Sequence, residues 1–107
     1  MAPALYLTQK EVTLISHYKV MGWALDLDLP QTQKLVLLVL CHYADKEHTC
    51  YPGQDLLAKN TGLGVRTVRA ALKALQDAGI IHREMRFRND GIRTSDQYFL
   101  NVGHTPK

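Results

Sequence analysis

The stretch QDLLAKNTGLGVRTVRAALKALQDAG, running from Gln54 to Gly79, decides how the rest of the chain is read. Gln54–Asn60 predicts a short helix with Leu56, Leu57 and Ala58 as its apolar members. Thr61-Gly62-Leu63-Gly64 predicts a tight turn, because Gly62 is free to take a left-handed backbone that other residues resist. Val65–Ala78 then places Val68, Ala71, Leu72 and Leu75 at i, i+3, i+4 and i+7, the spacing of one buried helical face. Gly79 follows where a helix commonly ends in a left-handed residue.

Ala58, Gly62 and Val68 stand at offsets of four and six, which is the spacing a helix-turn-helix requires. The reasons are steric. A small residue at Ala58 lets the second helix cross closely, Gly62 makes the turn, and Val68 plugs the angle between the helices. With Val68, Ala71, Leu72 and Leu75 turned inward, Arg66, Arg69, Ala70 and Lys73 face outward. Arg66, Arg69 and Lys73 form one basic stripe that begins at the helix N-terminus, where a recognition helix meets base edges in the major groove. Val65, Arg66, Thr67, Arg69, Ala70 and Lys73 are therefore the candidate DNA-contacting residues of this helix.

Downstream, Ile80–Phe87 and Tyr98–Val102 read as strands joined by the polar loop Arg88–Gln97. On the first strand Ile81, Met85 and Phe87 share one face, with His82, Glu84, Arg86 and Arg88 on the other. Asp90-Gly91 suits a tight hairpin turn, flanked by Arg88 and Arg93. Arg86, Arg88, Asn89, Arg93, Thr94 and Ser95 are the candidate contacts to DNA backbone or minor groove. Charge supports this reading. Residues 1–64 carry a net −1 and residues 65–107 a net +4, and all six arginines lie between Arg66 and Arg93. Arginine's rigid fork of donors suits phosphates and guanine edges.

Upstream, Gln31–Ala44 predicts a buried helix, entered at Pro30 and covered on more than one face by Leu35, Leu38, Val39 and Cys41–His42. Asp45–His48 is a polar turn, and Thr49-Cys50-Tyr51 suits a short strand ahead of Pro52-Gly53. Leu7–Val12 resembles a helix start in which Thr8 caps, Glu11 reaches back and Leu7 staples onto Val12. That helix ends near Gly22, although Val12, Leu14, Tyr18 and Val20 also fit a strand face, and Asp26–Pro30 reads as a linker. Residues 1–22 form an N-terminal extension that either dimerises or pads the domain's own core, residues 23–102 the domain, and residues 103–107 a tail. Trp23 and Tyr51 are expected at the core edge.

The 107 residues suffice for one domain, and the longest unbroken apolar run, Leu35 to Cys41, is far short of a membrane span. No secretory signal opens the chain, and two cysteines are too few for a disulfide framework, so a cytoplasmic setting is expected. Cys41, His42, His48 and Cys50 match no paired metal-ligand spacing, so no metal is expected. Gly62-Leu63-Gly64 lacks the continuation of a phosphate loop, Ser16 and Ser95 have no activating context, and Asp26 with Asp28 reads as a solvated pair. The expectation is a non-enzyme without cofactor or small-molecule ligand.

Leu29–Leu38, Cys50–Gln54, Leu57–Leu63, Arg66-Thr67-Val68, Ala71-Leu72, Leu75 and Ala78–Ile81 also carry a resemblance. Together with the arginine-rich strand after Ile81 and Thr94-Ser95 ahead of Tyr98, they resemble the winged helix-turn-helix of phage, prophage and plasmid proteins, from about Trp23 to Val102. One departure is Gly64, where that family usually supplies a Ser to cap the recognition helix. The resemblance implies an α+β fold, a helical core with a small β-hairpin wing. Its members include transcriptional regulators and the origin-binding domains of replication initiators. The expected function is sequence-specific binding of double-stranded DNA by a homodimeric regulator of a bacterial mobile element. The alternatives are an origin-binding domain and a winged-helix interaction module without DNA contact. Taken as complete, a chain this short lacks room for an initiator's partner-recruiting domain, which favours the regulator.

Overall fold

In a computed structural model, the described residues are 9–105. The elements are α1 (Gln9–Asp26), α2 (Gln31–Tyr43), β1 (Thr49–Cys50), α3 (Gln54–Thr61), α4 (Val65–Asp77), β2 (Ile81–Glu84) and β3 (Gln97–Leu100). This is a winged helix-turn-helix: four helices around one core, closed by a three-stranded antiparallel sheet of order β1-β3-β2.

α1 is a helix, not a strand, and it runs through Gly22 to Asp26 instead of ending near Gly22. Val20, Ala24 and Leu27 are buried at i, i+4 and i+7, so the packing face continues beyond the glycine. That burial outweighs the roughly 0.5–1 kcal/mol a mid-helix glycine costs. The linker shrinks to Leu27–Pro30, where the residue before a proline is barred from helical geometry. Lys34 Nζ reaches back to the Leu25 carbonyl at 2.9 Å and satisfies an acceptor that the helix end leaves free. The second half of α1 thus pads the domain's own core. The Leu7–Thr8 cap and staple lie outside the described residues.

α2 begins after Pro30 and buries Val36, Leu37, Leu40 and Cys41, while Leu38 and Val39 pack partly against the core and His42 is exposed. Its turn into β1 is tied by Asp45, whose carboxylate accepts the N–H groups of Glu47 at 2.9 Å and Thr49 at 3.2 Å. Cys41 and Cys50 are free thiols facing core carbonyls, those of Val20 and Leu40 respectively. Burial pushes each up to about 12, so neither is thiolate at neutral pH.

α3, the Gly62 turn and α4 form as the spacing requires. Gly62 is left-handed at φ 76° and donates to the Ala58 carbonyl at 2.9 Å, while Val68 is fully buried. Gly79, at φ 77°, turns the chain from α4 into β2. β3 is the central strand. It pairs Thr49↔Phe99 and Cys50↔Tyr98 on one side, and Ile81↔Leu100 through Glu84↔Gln97 on the other.

The strands are shorter than expected. β2 stops at Glu84, and beyond it the strand pairing is reduced to the isolated Phe87↔Arg93 bridge. Met85 and Phe87 are 63% and 59% exposed instead of forming an inward face with Ile81, because no element lies beneath this part of the wing. β3 runs Gln97–Leu100, and the Asn101 N–H then bonds the Ile80 carbonyl at 2.9 Å. Tyr51 lies outside β1 and is 58% exposed, not at the core edge. Trp23 packs partly against the core and donates its indole N–H to the His104 carbonyl at 3.0 Å, so the segment after β3 is tied down as far as His104.

Candidate nucleic-acid interface

α4 is strongly amphipathic. Val68, Ala71, Leu72 and Leu75 anchor one side, and Arg66, Thr67, Arg69, Ala70 and Lys73 are exposed on the other, with Val65 partly buried at the start. Gly64 caps the helix in extended geometry (φ −70°, ψ 156°) without a side-chain hydrogen bond, leaving the first N–H groups open. These donors and the helix dipole favour an anion there. The stripe is not uniform. Lys73 pairs with Asp77 at 2.9 Å one turn on, whereas Arg69 Nε donates to Gln54 Oε1 of α3 at 2.7 Å. Arg66 makes no ion pair among the described residues.

The wing is organised by acidic and aromatic partners. At its tip the Arg88 carbonyl accepts the Gly91 N–H at 2.9 Å, and the Arg88 N–H donates to the Ile92 carbonyl at 2.8 Å. Gly91, at φ 87°, makes this turn. Asp90 accepts the Arg88 guanidinium and the Ile92 N–H, and the Arg88 bond foremost lowers its pKa. Asn89 is exposed at the same tip. Arg86 lies over the Tyr51 ring, 4.4 Å from its centroid, a cation–π contact that fixes the root of the wing against the β1–α3 connection.

Asp96 is the buried acid of this region, 6% exposed. It accepts Arg93 Nη2 at 2.8 Å and lies 3.7 Å from Arg83 Nε. Tyr98 beside it has its hydroxyl pKa raised, chiefly by burial and then by Asp96. The structure brings Arg69 together with Arg93, Thr94 and Ser95, all lining one cleft of about 400 Å³ with Pro52–Asp55, Asp96 and Tyr98. Arg66 and Lys73 on α4, and Arg86, Arg88 and Asn89 on the wing, lie outside that cleft's lining.

Three residues escaped sequence reading: Gln54, Tyr51 and Asp96. Gln54 and Tyr51 find their partners 15 and 35 positions away, Arg69 and Arg86, so no local pattern marks them. Asp96 did carry a signal. Asp96, Tyr98 and Leu100 alternate and are all buried, which puts the carboxylate on the inward face of the incoming strand.

A family model described as a helix-turn-helix domain matches residues 27–81, just over half of the chain. The chain belongs to this helix-turn-helix family. The match covers α2 through α4, and the wing follows it. Among solved structures, the chain is similar to one described as a possible transcriptional regulator from Methanosarcina mazei Go1, with 22% identity and a TM-score of 0.55. The similarity covers 80% of this chain and 66% of that one, and at this identity it is a likeness of fold. No curated protein matches the sequence. Among the described residues, no group of three His, Cys, Asp or Glu is placed to hold a metal, and no helix is long and apolar enough to cross a membrane.

Proposed function

We propose that this helix-turn-helix protein binds double-stranded DNA sequence-specifically and acts as a small, non-enzymatic transcriptional regulator. α4 enters the major groove with Val65, Arg66, Thr67, Arg69, Ala70 and Lys73 towards the DNA. The wing residues Arg86, Arg88, Asn89, Arg93, Thr94 and Ser95 lie along backbone or minor groove. One observation carries the reading: the exposed stripe of α4 starts at an open helix N-terminus, and a hairpin bearing Arg86, Arg88 and Arg93 stands beside it. The structural neighbour with this fold is itself described as a possible transcriptional regulator, which agrees with this reading.

A homodimer on a two-fold site is part of this proposal, since one winged helix buries modest area on DNA. Tyr18 and Leu25, 83% and 54% exposed, lie seven residues apart on one face of α1 and are its proposed contact. The service of a phage or plasmid rests on the resemblance of Leu29–Ile81 to such proteins.

The test is selection from random-sequence duplexes at two salt concentrations. An enriched inverted repeat and affinity that falls steeply with salt are expected. Enriched tandem direct repeats would move the role to replication initiation. No binding to duplex at low salt overturns the proposal in favour of a protein-interaction module.

A further inference from the structure

We infer that the cleft between α3, α4 and the base of the wing seats one phosphodiester of the DNA backbone, clamped between Arg69 and Arg93. This rests on the DNA-binding reading above, and it takes Arg69 away from base recognition. The two guanidiniums come from different elements and line the same cleft. Each is held there by an acceptor that leaves donors free. Arg69 gives its Nε–H to Gln54 Oε1, and Arg93 gives one Nη2 hydrogen to Asp96 Oδ1. A guanidinium has five N–H donors, so both retain several for an anion. Gln54 thereby pulls Arg69 towards α3 and the wing, while Arg66 stays on the open face of α4.

Two carboxylates also line the cleft. They match the two arginines of the lining in number, but Asp96 is also approached by Arg83 from outside the cleft, at 3.7 Å, and Asp55 is exposed to solvent, so the lining keeps guanidinium donors for an anion. Thr94 and Ser95 add hydroxyl donors. Gly53 lets Ser95 approach its backbone closely: a Cβ there would lie 3.3 Å from Ser95 Oγ. The volume, about 400 Å³, accommodates a phosphate with its flanking sugars. Its place between recognition helix and wing is where a strand backbone passes when α4 occupies the major groove.

The experiment uses the full chain, a duplex bearing the selected site, and a set of duplexes in which each phosphate in turn is a neutral methylphosphonate. Arg69→Gln and Arg93→Gln are each expected to weaken binding to the unmodified duplex roughly tenfold, without changing base preference. At one methylphosphonate position wild type should lose a similar factor, and there both variants should bind as wild type does. Circular dichroism checks folding, and if Arg93→Gln does not fold, the Arg69 arm decides alone. A shift in base preference for Arg69→Gln, or losses that persist at every methylphosphonate position, overturns the inference while leaving DNA binding intact. So does saturable binding of inorganic phosphate at Arg69 and Arg93 in the absence of any such position, which would mark a free-phosphate site. Failure of wild type to bind the unmodified duplex overturns the DNA reading, and the clamp with it.

Discussion

The helix α4 and the wing carry the same residue types to the same surface by opposite means. On α4 one period of apolar residues sets which residues face outward: once Val68, Ala71, Leu72 and Leu75 are buried, the outward face follows, and partners such as Gln54 and Asp77 only steer the ends of Arg69 and Lys73. On the wing beyond Glu84 no core lies beneath, and three of four arginines are placed by individual partners, Arg88 by Asp90, Arg93 by Asp96 and Arg86 by Tyr51. The fourth, Arg83, sits behind Asp96. A helix chooses its outward face through packing, and a two-stranded extension must place its charges through side-chain contacts alone.

That difference is open to attack from its strongest point. Leu72→Ala should cost about 2–5 kcal/mol in chemical denaturation, because it hollows the fully buried side of α4. Phe87→Ala, on the 59% exposed wing, should stay within about 0.5 kcal/mol. Equal losses would show that the wing has a core of its own.

Asp96→Asn comes next. It removes the buried carboxylate that accepts the exposed Arg93 and faces the partly buried Arg83, and about 1–3 kcal/mol should be lost. Hydrogen exchange should quicken in residues 86–97 and remain unchanged in α4. Protection lost equally in both would mean that Asp96 supports the whole domain and not the wing alone.

pH acts with opposite sign on the buried core beneath the helices, through Cys41 on α2 and Cys50 on β1, and on the wing tip. Cys41 and Cys50 have folded-state pKa values near 12, above their ordinary 9.0, so the unfolded chain releases those protons first as pH rises. Stability should therefore fall from about pH 9 upward, by up to roughly 1.4 kcal/mol per pH unit for each thiol. Cys50→Ala should flatten that slope in alkaline melts. Asp90 is shifted the other way: its contribution is present above the ordinary carboxylate pKa and is lost as pH falls through its lowered folded value. Acid titration by NMR should loosen the wing tip before it disturbs the helices.

The smallest effects concern backbone. Gly91→Ala forces a side chain into φ 87° and should cost about 1–2 kcal/mol at most, confined to the wing tip. Gly64→Ser supplies the missing cap of α4 and should gain a few tenths of a kcal/mol in thermal melts.

How much could be read without coordinates follows the same division. The α3–turn–α4 unit was legible because helical periodicity and the Gly62 turn are local. The continuation of α1 past Gly22 was not, since it depends on Val20, Ala24 and Leu27 meeting the rest of the core. Nor was the end of β2 at Glu84, because alternation in Ile81–Phe87 says nothing about whether a core lies beneath Met85 and Phe87. The residues named for DNA contact were found from charge and periodicity. Their grouping was not, because Gln54–Arg69 and Tyr51–Arg86 join positions far apart in the chain.

In the proposed complex α4 reads sequence while the wing and cleft hold backbone. The most direct test compares affinity for the selected duplex and for a scrambled one, in wild type and Arg66→Ala, at two salt concentrations. If Arg66 reads a base edge, Arg66→Ala loses about 1–3 kcal/mol on the selected site and changes little on the scrambled duplex. An equal loss on both duplexes would make Arg66 a backbone contact and contradict that reading.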